Sequence, residues 1–99
     1  MSVQQVILNL ISGIDDPADR MEIARTINMI YQAFISGKAS EEEVRRDLLD
    51  IVKTVLKYKD PFLPKEEVDK RANEIVDNLM LSFKLRRFGR SGFRKYFRF

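Results

Sequence analysis

"SGKASEEEVRRDLLDIVKTVLKYKDP", Ser36 to Pro61, is one helix with both of its ends written out. Ser36 and Gly37 break whatever precedes them, because glycine takes backbone conformations that close a helix. Ser40 and Glu43 have the spacing of a capping box, in which each side chain satisfies a free amide of the other residue. Glu41 and Glu42 add negative charge at the positive end of the helix dipole, and Lys53, Lys57 and Lys59 gather toward the negative end. Val44, Leu48, Leu49, Ile51, Val52, Val55 and Leu56 recur at three- and four-residue spacing and form one apolar face. Pro61 forbids continuation past Asp60. A helix of this length with one apolar face needs partners that cover that face.

The flanking sequence supplies them. Upstream, Asp16 and Pro17 are a start signal, a cap followed by proline in the first turn. Asp19 and Glu22 suit the dipole, and Met21, Ala24, Ile27, Ile30, Tyr31, Phe34 and Ile35 form an inner stripe that ends at Ser36-Gly37. Before it, Ser2 and Gln5 make a further capping box for a short helix lined by Val3, Val6, Ile7, Leu10 and Ile11, with Gly13 expected as a left-handed stop. Downstream, "KDPFLP" is a turn in which Phe62 and Leu63 are expected to plug one end of the core. Pro64 opens the last helix, with Glu66, Glu67 and Asp69 in its first turns. Its inner face is Val68, Ala72, Ile75, Val76, Leu79, Met80 and Phe83, and helical character extends toward Phe88 because Gly89 is the next breaker. No strand-like alternation, repeat or low-complexity tract interrupts the pattern. The expected fold is all-α, an antiparallel bundle of four helices with a short first one, over residues 1–85. Residues 86–99 follow as a basic aromatic tail.

Composition narrows the chemistry. The chain has 99 residues, suited to one domain, with 44% hydrophobic and 33% charged residues. It contains neither Cys nor His. That removes disulfides, thiol nucleophiles, thiolate or imidazole zinc sites and the usual base near neutral pH. Ser91 in "GRSG" lacks the spacing of a nucleophile elbow, and no Gly-rich phosphate loop precedes a Lys-Ser or Lys-Thr pair. An enzyme is therefore not expected. "MSVQQVILNLISG" lacks a basic leader and reads as helix, no run of about 18 apolar residues occurs, and a cytoplasmic location is expected. Missing cysteine and abundant Glu, Lys and Arg suit a thermophile. On composition and helix pattern over its whole length, the chain resembles small uncharacterised helical proteins of hyperthermophilic archaea. That resemblance carries no motif and transfers no site residue.

Charge is unevenly placed. Lys84, Arg86, Arg87, Arg90, Arg94, Lys95 and Arg98 lie in the last 16 residues with no acid among them. The chain holds 18 basic and 15 acidic residues, so residues 1–83 carry −4 and residues 84–99 carry +7. Rings interleave with the cations, and the candidate contact for an anionic partner is Arg86, Arg87, Phe88, Arg90, Phe93, Arg94, Lys95, Tyr96, Phe97 and Arg98. Rings that stack on bases and cations that track phosphates hold single-stranded nucleic acid. The same residue types suit an anionic membrane surface or a groove on another protein. Phe93, Tyr96 and Phe97, at i, i+3, i+4 spacing, also suit one more helical turn against the bundle. The bundle itself is a poor DNA reader, since Glu41, Glu42 and Glu43 would meet phosphate where a recognition helix begins.

The alternative ligand is a hard cation. Calcium takes six to eight oxygens, and "GIDDPADRME" offers Asp15, Asp16, Asp19 and Glu22 as candidate Ca²⁺ ligands. Asp60, Glu66, Glu67 and Asp69 form a second acidic cluster. Neither has the spacing of an EF-hand loop, and capping accounts for the same residues.

Overall fold

The structure, a computed structural model, describes residues 3–88, with side chains from Gln4 to Leu85. Among these residues the chain is all-helical: α1 (Val3–Ile11), α2 (Pro17–Ile35), α3 (Glu41–Lys59) and α4 (Lys65–Phe88). Every pair of helices is in contact, and the α3–α4 pair is the most extensive. Cross-links fix the direction of that pair. Lys84, late in α4, reaches Glu41 at the start of α3, and Asp69, early in α4, reaches Lys53 late in α3. The two helices are antiparallel, with Arg45–Asp77 at 2.7 Å between those ties.

Local chemistry sets the helix ends. Asp16 takes the N-cap of α2 and accepts a 2.8 Å bond from the Ala18 amide, with Pro17 beginning the helix. Gly37 closes α2 at φ +79°, the left-handed region where a side chain would be strained. The Ser40–Glu43 capping box is formed in both directions: the Glu43 amide donates to Ser40 Oγ, and the Ser40 amide donates to Glu43 Oε1. Pro64 carries no amide but its carbonyl accepts from Val68, which starts α4.

Gly13 departs from expectation, because it is not left-handed. α1 closes instead with the Ile14 amide on the Ile11 carbonyl, and a cation from α3 completes the end. Lys59 Nζ donates to the Leu10 carbonyl at 3.3 Å, and its chain crosses Gly13 so closely that a β-carbon there would stand 2.3 Å from Lys59 Cε. Glycine serves here for close approach rather than for its backbone angles.

The core runs as one cluster through all four helices. Val6, Ile7, Leu10, Ile11, Ile27, Tyr31, Phe34, Val44, Leu48, Val52, Val55, Val68, Ala72, Val76, Leu79, Met80 and Phe83 are buried as their spacing implies, with Ala24, Ile30, Ile35, Leu49, Ile51, Leu56 and Ile75 half-buried beside them. Toward the α2–α3 connection the core is aromatic. Phe83 is fully buried, its ring 4.9 Å from Tyr31 and 6.1 Å from Phe34. Ile14, outside any helix, is also buried and seals the α1–α2 turn.

Two expected core residues are not core. Met21 is 63% exposed, because the buried side of α2 is centred on Ile27, Tyr31 and Phe34, and Met21 falls beyond its edge. Phe62 is 93% exposed and plugs nothing. The Asp60 carboxylate accepts from the Phe62 amide and the Asp60 carbonyl from the Leu63 amide, a tight turn that carries the ring outward and leaves Leu63 half-buried.

Candidate functional site

α4 is the element that joins the bundle to the basic segment. It runs without interruption to Phe88, so the backbones of Arg86, Arg87 and Phe88 form its last turn, as the position of Gly89 as the next breaker implies. The side chains of those three residues, and all of Arg90, Phe93, Arg94, Lys95, Tyr96, Phe97 and Arg98, lie outside the described residues. Lys84, the first cation of the segment, is tied to Glu41 at 2.5 Å, which places the C-terminal end of α4 beside the acidic start of α3.

The last described turns of α4 are apolar on two sides. Leu79, Met80 and Phe83 enter the core. Leu81 and Leu85, one turn apart on the outer side, are 58% and 61% exposed. The sequence reading passed over both, because a 3.6-residue search assigns each helix a single face. The signal was present nonetheless: "LMLSFKL", residues 79–85, contains too many apolar residues for one stripe.

The acidic candidates are dispersed. Asp15, Asp16, Asp19 and Glu22 are all exposed. Asp15 precedes α2, and Asp16 is occupied in capping it. Asp19 and Glu22 line a half-open apolar cavity of about 190 Å³ with Ile14, Ile23, Thr54, Val55 and Tyr58, so their neighbours across the cavity are a hydroxyl and a phenol of α3. In the second cluster, Asp60 caps its own turn, Glu67 pairs with Arg71 at 3.1 Å and Asp69 pairs with Lys53 at 3.3 Å. Among the described residues, no three carboxylates stand together as a metal ion would need.

Glu43 is held below the ordinary glutamate range by its hydrogen bonding to the Ser40 side chain and then to the Ser40 backbone, with a further pull from Arg46. That is the signature of a cap. Among the described residues, the ion pairs Arg45–Asp77, Lys53–Asp69, Arg71–Glu67 and Lys84–Glu41 lie at the surface, and no buried side-chain nitrogen or oxygen lacks a partner. No helix among the described residues is long and apolar enough to cross a membrane.

Searches of protein-family models, of curated proteins and of solved structures found no match to this chain.

Proposed function

We propose that the chain is a non-enzymatic binding protein whose basic C-terminal segment contacts an anionic partner, with single-stranded nucleic acid as the ligand class. The observation that carries this reading is the charge division: +7 in residues 84–99 against −4 in the rest. Phosphate contacts supply most of the sequence-independent affinity for nucleic acid, and a run of cations without a single acid is what such contacts require. The continuous α4 supports the reading, because it delivers the segment to one end of a bundle whose own ionisable groups are paired, capping or simply solvated. The lack of Cys and His supports a role without catalysis.

Two truncations test it, one after Leu85 and one after Phe88, each titrated with a labelled oligothymidine about 20 nucleotides long across a salt series. The full chain is expected to bind with log K falling linearly in log salt. Both truncations are expected to lose that binding, the longer one retaining a fraction owed to Arg86 and Arg87. Binding that survives removal of residues 86–99 would overturn the reading.

The calcium alternative rests on Asp15, Asp16, Asp19 and Glu22 and has weaker support, since one of the four is a cap and two face a cavity with an apolar floor. Its test is a calcium titration followed by amide shifts. Saturable shifts confined to residues 14–23 would establish it, and uniform shifts at millimolar calcium would remove it.

A further inference from the structure

We propose that two copies of this chain associate about a two-fold axis, each inserting the exposed ring of Phe62 into the cavity that the other holds between α2 and α3. Phe62 follows the end of α3, whereas Lys84, near the end of α4, sits beside the start of α3. The contact thus lies at the end of the bundle away from the basic segment, and either can stand without the other.

The turn between α3 and α4 is built to present Phe62. The ring is 93% exposed. Pro61 before it and Pro64 after it each fix a backbone angle. The Phe62 amide donates to Asp60 Oδ1 at 3.3 Å, and the Leu63 amide donates to the Asp60 carbonyl. These bonds involve the backbone of Phe62 and not its ring, so the turn holds the ring away from its own core. A large ring on a stiff support has the form of an interface anchor, because little freedom is lost when it is buried.

The receiving cavity lies at the same end of the molecule. Ile14, in the α1–α2 connection, and Val55 are buried at its floor, with Ile23 and Tyr58 beside them. Lys59 Nζ on the Leu10 carbonyl ties the end of α3 to the end of α1, so the α1–α2 and α3–α4 connections are neighbours. The cavity holds about 190 Å³, which suits one ring, since an apolar cavity of about 150 Å³ takes up benzene. Charge matches as well as size. Asp19 and Glu22 line the cavity, are exposed, and their carboxylates have no partner among the described residues. Residues 57–65 around Phe62 carry Lys57, Lys59 and Lys65 against one acid, Asp60, which accepts from the Phe62 amide. Lys59 is engaged by Leu10, which leaves Lys57 and Lys65 to face Asp19 and Glu22 of the other copy.

Ring and cavity at one end of one chain decide the symmetry. One-way insertion would leave a free ring and a free cavity and grow an open string of copies. Reciprocal insertion about a two-fold axis uses both and closes. Each ring brings only about 150–250 Å² of surface, so the pair falls short of the roughly 1,200 Å² of a stable interface. The dimer is therefore weak and reversible, with a dissociation constant on the order of 100 μM.

Sedimentation equilibrium of the full chain between about 10 μM and about 1 mM tests the dimer. The average mass is expected to climb from one chain toward two. F62S alters a residue already exposed, so helix content by circular dichroism is expected to hold while association weakens at least about tenfold. D19K/E22K and K57E/K65E are each expected to weaken association, because like charges then face each other. An equimolar mixture of the two is expected to recover it, because every cavity again meets the opposite sign. In a mixture of isotope-labelled and unlabelled chains, nuclear Overhauser contacts are expected between the Phe62 ring of one copy and the methyl groups of Ile14 and Ile23 of the other. A single chain at about 1 mM, parent-like association of F62S, or a mass that grows past two chains would overturn the closed pair. So would association that D19K/E22K and K57E/K65E leave unchanged.

Discussion

At the scale of single residues, Phe83 is the position where the fold is least forgiving. It is fully buried and meets both Tyr31 and Phe34, so its removal opens a cavity bounded by two rings that cannot both move into it. Phe83→Ala is expected to destabilise by about 3–5 kcal/mol, and Phe83→Leu by distinctly less, read as midpoints of urea unfolding. A parent-like midpoint for Phe83→Ala would mean that the aromatic end of the core is not packed. Glu43 makes the second residue-scale case, with a sign that can be worked out. Its folded carboxyl is held low by Ser40, so its charged form stabilises the fold above the ordinary glutamate range of about 4.3. That contribution is lost as pH falls through the lowered folded value. Glu43→Gln keeps an acceptor for the Ser40 amide but not the charge. Its melting temperature is expected to lie below that of the parent at pH 7 and to converge on it as the pH falls below the lowered folded value of Glu43. A gap that persists at low pH would assign the effect to geometry instead of charge.

Among the elements, α1 is the most dependent on its neighbours. It has nine residues and one turn of capping from a foreign side chain, Lys59 on Leu10, laid across Gly13. Lys59→Met is expected to lower stability by about 1 kcal/mol through loss of that charge-assisted bond and its dipole contact. Gly13→Ala is expected to cost a similar amount for the same reason, because the new methyl displaces the lysine. The two effects should therefore not add, and a double-mutant cycle reads the overlap. Full additivity would show that Gly13 acts through its backbone alone. This contact marks the boundary of what the sequence discloses. Ser40–Glu43, Asp16–Pro17 and Gly37 were legible because caps and breakers act within four residues. Gly13, Met21 and Phe62 were misread because their settings depend on Lys59, on the centring of the α2 face and on the direction of a turn, none of which is local. The candidate site divides in the same way. Residue types were legible at Asp15, Asp16, Asp19 and Glu22, but whether they converge is a tertiary property. Leu81 and Leu85 were missed because one helix was allowed only one apolar side.

For the molecule as a whole, the division between an acidic bundle and a basic segment predicts how stability responds to salt. The ion pairs within the bundle, Arg45–Asp77, Lys53–Asp69, Arg71–Glu67 and Lys84–Glu41, are exposed and individually worth little, so screening them changes little. Screening also relieves the mutual repulsion of a bundle with net negative charge, which acts in the opposite direction. A chain ending at Phe88 retains all the described core, from Val6 to Phe83, and its stability is expected to be nearly flat in salt. The full chain differs by one attraction, the cations beyond Phe88 toward the bundle. At 0.1 M salt the screening length is about 10 Å, comparable to the width of one helix, and near 1 M it is about 3 Å. Over that range the attraction fades. The full chain should therefore melt higher than the Phe88 truncation at low salt, and the gap should narrow with added salt. A gap that remains undiminished near 1 M salt would mean that something other than charge holds the segment. No gap at any salt concentration would mean that the segment is not held by the bundle, leaving its rings free for a partner.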